Sequence, residues 1–428
     1  MPLTTSIDDL FAAASTAASA SGEGTADQPL YTGRYIAIFK PDATADAIQQ
    51  FLAGANVNAA SAASFDSQAV SISDLGDAEV LTFPNLGLAL VSPDAYASLQ
   101  SPNNNAAVAS ADGTGSGDPA PGSATDSPVD SWEQETFFYA DGTATATPAN
   151  VTYGLDITQV SKSTCDGTGI KLCVLDTGID LNHPDFSGRT IVSQSFIPGQ
   201  AVQDGHGHGT HTAGTAAGPQ TPASGPRYGV AYNSSLYIGK VLSDGGIGVG
   251  LSVIAGMNWA LANNCDVISM SIQTQVGPQK AYTQLGQKAL DQKSLIIAAS
   301  GNKSNRPGTI ANTSAPANSP TIMAVAAVDS SSNIAWFSNG GKIEIAGPGV
   351  DVLSSWPMPT QYKLDSGTSQ ATPHVSGIAA LWAQSGDGTL RGQALWATVT
   401  AAAQSLSQPT TDVGAGLVQA PIPGGVCK

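Results

Sequence analysis

The chain has 428 residues and a mass of 43.0 kDa, with 41% hydrophobic and 11% charged residues, which is material for two or three folding units and excludes charged disorder and coiled coil. A formal charge of −17 argues against nucleic acid as a partner, and four cysteines are too few for a disulfide scaffold. No apolar run reaches the roughly 18–20 residues of a membrane helix.

Charge divides the chain in two. Residues 1–150 hold only Arg34 and Lys40 against 18 acidic residues, whereas residues 151–428 hold 14 basic and 15 acidic ones. All five histidines (His183, His206, His208, His211 and His374) fall in the second part, so imidazole chemistry belongs there. Residues 1–30 are rich in Ala, Ser, Thr and Gly and lack the positive and apolar regions of a signal peptide, so they read as a disordered leader. Residues 31–100 read as a small α+β module: a strand over Arg34–Lys40, a helix over Ala43–Ala53, strands over Glu79–Phe83 and Leu86–Ser92, and a helix begun by Pro93. Residues 101–144 start as a Ser, Gly, Asn and Pro tract and read as a flexible linker with a processing region.

Residues 145–428 alternate apolar, β-rich runs with helical stretches. Lys171–Asp176, Leu236–Leu242, Val267–Ile272, Leu295–Ser300 and Met323–Val328 are short and apolar without strict alternation, as for strands buried on both faces. Leu251–Asn263 and Ala281–Asp291 read as helices between them. The fold class is therefore α/β, a doubly wound and mostly parallel sheet flanked by helices, with its site beyond the carboxyl ends of the strands.

Three segments stand out at strand ends or helix starts: KLCVLDTGID at Lys171–Asp180, DGHGHGTHTAGTAAG at Asp204–Gly218, and SGTSQATPHVSG at Ser366–Gly377. In this order and spacing they resemble the subtilisin-like (S8) serine proteases over about residues 145–428, and the 31–100 module resembles that family's inhibitory propeptide. The resemblance implies Asp176, His208 and Ser369 as a catalytic triad in a serine endopeptidase. The chemistry agrees: a serine hydroxyl needs a base within reach, and that base needs an orienting carboxylate. Ser369 would open a helix whose apolar residues include Val375, Ile378 and Leu381, where free N–H groups favour developing negative charge.

The run LIIAASGN at Leu295–Asn302 resembles the family's oxyanion block, which implies Asn302 as a side-chain donor beside the Ser369 N–H. The resemblance further implies a substrate cleft formed by Gly246, Gly248, Ser271, Ile272, Gln273, Ala299, Ser300 and Gly301, with Ser314 at the base of the P1 pocket. Here Gln273-Thr274 replaces the family's usual glycine pair, so a narrow pocket preferring Ala or Leu over Phe and Tyr is expected. His183-Pro184-Asp185-Phe186 resembles the motif after the catalytic Asp, and Asp185 is a possible calcium ligand. No cofactor is needed for the chemistry; structural calcium is the one metal that the family suggests.

Two other readings compete. Asp176-Thr177-Gly178 and Asp365-Ser366-Gly367 are D-[ST]-G triplets of the aspartic-protease type, but that fold is nearly all β and gives the histidine block no role. A catalytically impaired peptide-binding module would require a missing site residue. Cys165, Cys173, Cys265 and Cys427 permit three pairings, with Cys173 read as a core thiol. The expected partners are protein or peptide substrates and the chain's own propeptide as intramolecular inhibitor, with no nucleic acid and no membrane. A secreted monomer is expected.

Overall fold

The structure, a computed structural model, describes residues 3, 5–13, 31–61, 78–100, 127–140, 151–422 and 427. It divides into two units, Met1–Phe137 and Phe138–Lys428.

In the first unit, strands β1 (Tyr31–Phe39), β2 (Ala59–Ser61), β3 (Val80–Phe83), β4 (Leu88–Val91) and β5 (Val129–Tyr139, whose last two residues count with the second unit) lie in the order β2-β3-β4-β1-β5. β1 is antiparallel to both β4 and β5, with Ala37 opposite Ala89 on one side and Trp132 on the other. Helices Ala45–Gly54 and Pro93–Leu99 are capped by Thr44 and Ser92, whose hydroxyls accept from Ala47 and Ala95 N–H. They cover one face of the sheet through Phe51, Leu52, Ala95 and Leu99.

Two expectations are corrected here. Residues 7–13 of the supposed disordered leader are helical, because Ser6 Oγ accepts from Asp9 N–H at 3.1 Å and Ile7 and Leu10 are buried. The supposed linker 101–144 contains the eleven-residue strand β5. Its acidic residues disguise it, but Glu135 is buried, paired with Arg34 Nε at 2.5 Å and accepting a hydrogen bond from Thr32 Oγ1 at 2.6 Å. Residues 14–30, 101–126 and 141–150 lie outside the described residues.

The second unit is built on seven strands: β6 (Lys171–Asp176), β7 (Ile191–Ser195), β8 (Ser235–Lys240), β10 (Val267–Met270), β11 (Leu295–Ala299), β12 (Met323–Val328) and β13 (Ile345–Pro348). They lie in the order β13-β12-β11-β10-β6-β8-β7, and every pairing is parallel. The short β9 (Ile247–Val249) precedes helix Gly250–Ala262, and a hairpin of β14 (Val352–Ser355) and β15 (Tyr362–Asp365) leads to helix Thr368–Ser385. Val174, Ile238, Ile268, Ile297 and Val325 are fully buried, as strands covered on both faces require.

The helices His208–Ala217 and Thr368–Ser385 meet at small residues. A Cβ added to Gly377 would stand 2.7 Å from Ala216 O, and one added to Gly214 would meet Ser354 and Ser355 hydroxyls. This close packing brings the starts of both helices to the carboxyl end of β6. Cys165 is disulfide-bonded to Cys427, and Cys173 and Cys265 are buried thiols. Burial, with Cys265 alongside, pushes the Cys173 thiol well above its ordinary range.

Candidate active site

Asp176 is the last residue of β6 and has no exposed surface. Its Oδ1 lies 2.8 Å from His208 Nδ1 and accepts from Thr177 N–H at 2.7 Å, while Oδ2 accepts from Thr212 Oγ1 at 3.2 Å. A buried carboxylate is stable only with such partners.

His208 is the first residue of its helix and is placed there by a residue that the sequence reading passed over. Asp204 is buried; its Oδ1 accepts from His206 N–H (3.0 Å), Gly207 N–H (2.8 Å) and Thr177 Oγ1 (2.9 Å). Its Oδ2 accepts from Thr210 N–H at 2.8 Å and Thr210 Oγ1 at 2.6 Å. Asp204 therefore ties down the first turn of the helix. The sequence signal was available: an acidic residue just ahead of a helix N-terminus. Burial disfavours the charged His208 ring, yet the Asp176 carboxylate outweighs it, with Asp365 and Asp204 adding, and raises the imidazole to about 8. His208 Nε2 is buried and has no hydrogen-bond partner among the described residues.

Ser369 is the second residue of helix Thr368–Ser385, which starts from Gly367. Its Oγ donates to Ser271 O at 3.2 Å, and Ser271 Oγ donates in return to Ser369 O at 2.7 Å. Asn302 follows the end of β11. Its Oδ1 accepts from Thr368 N–H at 2.9 Å and Thr368 Oγ1 at 2.8 Å. With the oxygen engaged, the NH2 end is the part left to donate.

The remaining predicted residues surround this group. The backbone of Gln273 pairs with Tyr139, N–H to carbonyl in both directions (3.1 and 3.3 Å), and Gly246 O accepts from Ala140 N–H at 3.1 Å. Gly246 has a left-handed φ of 74°, and a Cβ there would stand 2.7 Å from His206 Nε2. Gly248, in β9, is hemmed in by Leu242 and Val241 O. Ile272, Ala299 and Ser300 are buried, and Ser314 N–H donates to Ser300 O at 2.8 Å. Phe138 meets Tyr282 edge-on at 5.6 Å between centroids.

His211, His374 and His183 are engaged in structural hydrogen bonds. Burial lowers His211 and His374 to about 4, so both are neutral; they are anchored at Val352 O and Gln370 O. His183 accepts from Asp185 N–H at Nδ1, which leaves Nε2 to donate to Gln361 O.

The profile of the subtilase family matches residues 167–417. The chain belongs to the subtilase family. This subtilase is 39% identical to subtilisin DY of Bacillus licheniformis over 236 residues, covering 54% of the chain and 84% of that relative. It is 40% identical to subtilisin E of Bacillus subtilis (strain 168) over 218 residues, 50% of the chain and 55% of the relative. It is 42% identical to an alkaline protease of Alkalihalobacillus alcalophilus over 217 residues, 50% and 54% of the two chains. It is accordingly a subtilisin-like serine endopeptidase.

The competing aspartic reading and the expected calcium ligand both fall at this point. The aspartic-protease reading of Asp176 and Asp365 fails, because the family match is to subtilases and the two aspartates sit in a parallel-sheet fold with separate partners. Asp185 does not fit a calcium ligand: Ala223 N–H (2.7 Å), Tyr228 OH (2.6 Å) and Tyr362 OH (3.0 Å) fill its carboxylate. Two phenols and an amide satisfy that charge without a metal.

Proposed function

We propose that this subtilase hydrolyses peptide bonds through an acyl-enzyme on Ser369 and is made as a self-processing zymogen. The observation that carries the chemistry is the buried Asp176–His208 pair at 2.8 Å, whose Nε2 is left to act as base. Ser369 Oγ leaves Ser271 O, passes its proton to His208 Nε2, and attacks the scissile carbonyl. The oxyanion is held by the Ser369 N–H and the Asn302 NH2. His208 then gives its proton to the leaving amine, and water releases the acyl group by the reverse route.

Self-processing is supported by Phe138–Ala140. This segment runs antiparallel to Ser271–Gln273 and heads toward Ser271, whose carbonyl holds Ser369 Oγ. A substrate needs that direction to deliver a carbonyl to the nucleophile. The first unit then acts as propeptide and intramolecular inhibitor, and the cut falls within a residue or two after Ala140. The Cys165–Cys427 disulfide supports an oxidising, extracellular location for the mature enzyme. No helix among the described residues is long and apolar enough to cross a membrane.

The test is the mass of the purified protein. The parent should yield a fragment of about 29 kDa, whereas Ser369→Ala should remain at 43.0 kDa. Processing of purified Ser369→Ala at the same bond would refute self-cleavage.

A further inference from the structure

Asn302 is held at both ends, by different elements. Its side-chain oxygen is fixed by Thr368, and its backbone N–H donates to Gln273 Oε1 at 3.2 Å. Ser314 Oγ donates to the same Oε1 at 3.4 Å. The Gln273 side chain is therefore packed against the 301–302 turn, and the whole residue is only 3% exposed. Gly301 makes the room for it: φ is +112°, and an added Cβ would stand 2.6 Å from Oε1. The backbone of Gln273 meanwhile forms the two-bond pair with Tyr139, the chain lying in the cleft.

We infer that Gln273 is a positioning residue for Asn302, and that it links peptide binding in the cleft to the oxyanion donor. A glycine-containing turn at left-handed φ has several accessible backbone conformations, and a peptide rotation there would carry the Asn302 amide off target. The Gln273 carboxamide selects one of them by accepting the Asn302 N–H. A glycine at position 273, usual in the resembling family, has no side chain to do this. The inference rests on the oxyanion reading of Asn302.

The test is a double-mutant cycle on the processed enzyme, using tetrapeptide anilides with Ala, Leu or Phe at P1. Gln273→Met keeps the length and removes the acceptor. It should lower kcat about 5- to 10-fold for all three substrates with little change in KM, as loss of one positioning hydrogen bond implies. Asn302→Ala should lower kcat about 10²- to 10³-fold, the magnitude known from this change in subtilisin. In the Asn302→Ala background Gln273→Met should cost nothing further in kcat, since the group it positions is gone. If Gln273→Met does not fold, Gln273→Leu, which also fills the space and lacks the acceptor, carries the same cycle. An undiminished loss in the double variant, a loss confined to one P1 residue, or an unchanged kcat with Gln273→Met would overturn the inference. A normal kcat with Asn302→Ala would instead remove the oxyanion reading beneath it, and the inference with it.

Discussion

Gln370 Nε2 donates to Asp365 Oδ2 at 3.0 Å, joining the residue after Ser369 to a buried carboxylate at the end of β15. The resembling family usually has methionine in place of Gln370, so this polar pair distinguishes the chain. Asp365 adds its negative field to that of Asp176 at His208. Burial opposes the charged ring, the carboxylates prevail, and the imidazole is raised to about 8. A base must be neutral to take a proton, so kcat/KM should fall about tenfold per pH unit below about 8 and level off above it. Asp365→Asn removes one negative charge, which lowers the His208 pKa and moves the acid limb to lower pH. A pH–rate profile that stays in place or moves upward would contradict this electrostatic role.

Asp204 should be a stability residue with an indirect effect on rate. Asp204→Ala strips partners from three backbone N–H groups and two hydroxyls at the start of the histidine helix. Urea unfolding in a Ser369→Ala background, where autolysis is suppressed, should show a loss of about 3–5 kcal/mol. A loss under about 1 kcal/mol would mean that the helix start is held by other means.

Asp185 should behave as a hydrogen-bond hub. Asp185→Asn weakens the bonds from Tyr228 and Tyr362 and should cost about 1–3 kcal/mol. The drop in Tm should be the same with calcium as with a chelator. A drop seen only with calcium would restore the carboxylate as a metal ligand.

The P1 pocket should be small and polar at its floor, because Gln273 Oε1 and Ser314 Oγ converge beneath Gly301. Ala or Leu at P1 should give higher kcat/KM than Phe or Tyr, and Gln273→Gly should raise Phe relative to Ala. Highest kcat/KM for Phe in the parent enzyme would refute this.

The buried strands were legible because each is a continuous apolar run: β6 and β12 match their expected bounds, and β8, β10 and β11 differ by one or two residues at their ends. The edge strands were not. β7 is half exposed and polar in Ser193 and Gln194, and β13 is four residues containing Gly347 and Pro348. β5 was hidden because Glu135 reads as solvent-facing until Arg34 is seen opposite it. At the site, the segments around Asp176, His208, Ser369 and Asn302 stand out in the sequence through their resemblance to the blocks of subtilisin-like proteases. Asp204, Thr212 and Asp365 do not, since their roles depend on partners brought together only by folding. The Cys165–Cys427 bond closes across 262 residues, a separation at which spacing carries no information.

Everything proposed for the site depends on Ser369 acting as nucleophile with His208 as its base. Labelling with a serine-directed phosphonylating reagent, followed by peptide mass mapping, tests it most directly. One adduct per active molecule is expected on the peptide containing Ser369, with complete loss of activity in proportion to labelling and no adduct in His208→Ala. Loss of the base should itself lower kcat about 10⁶-fold, a magnitude taken from subtilisin. Labelling at another residue, or full activity in Ser369→Ala, would rule out Ser369 as the nucleophile.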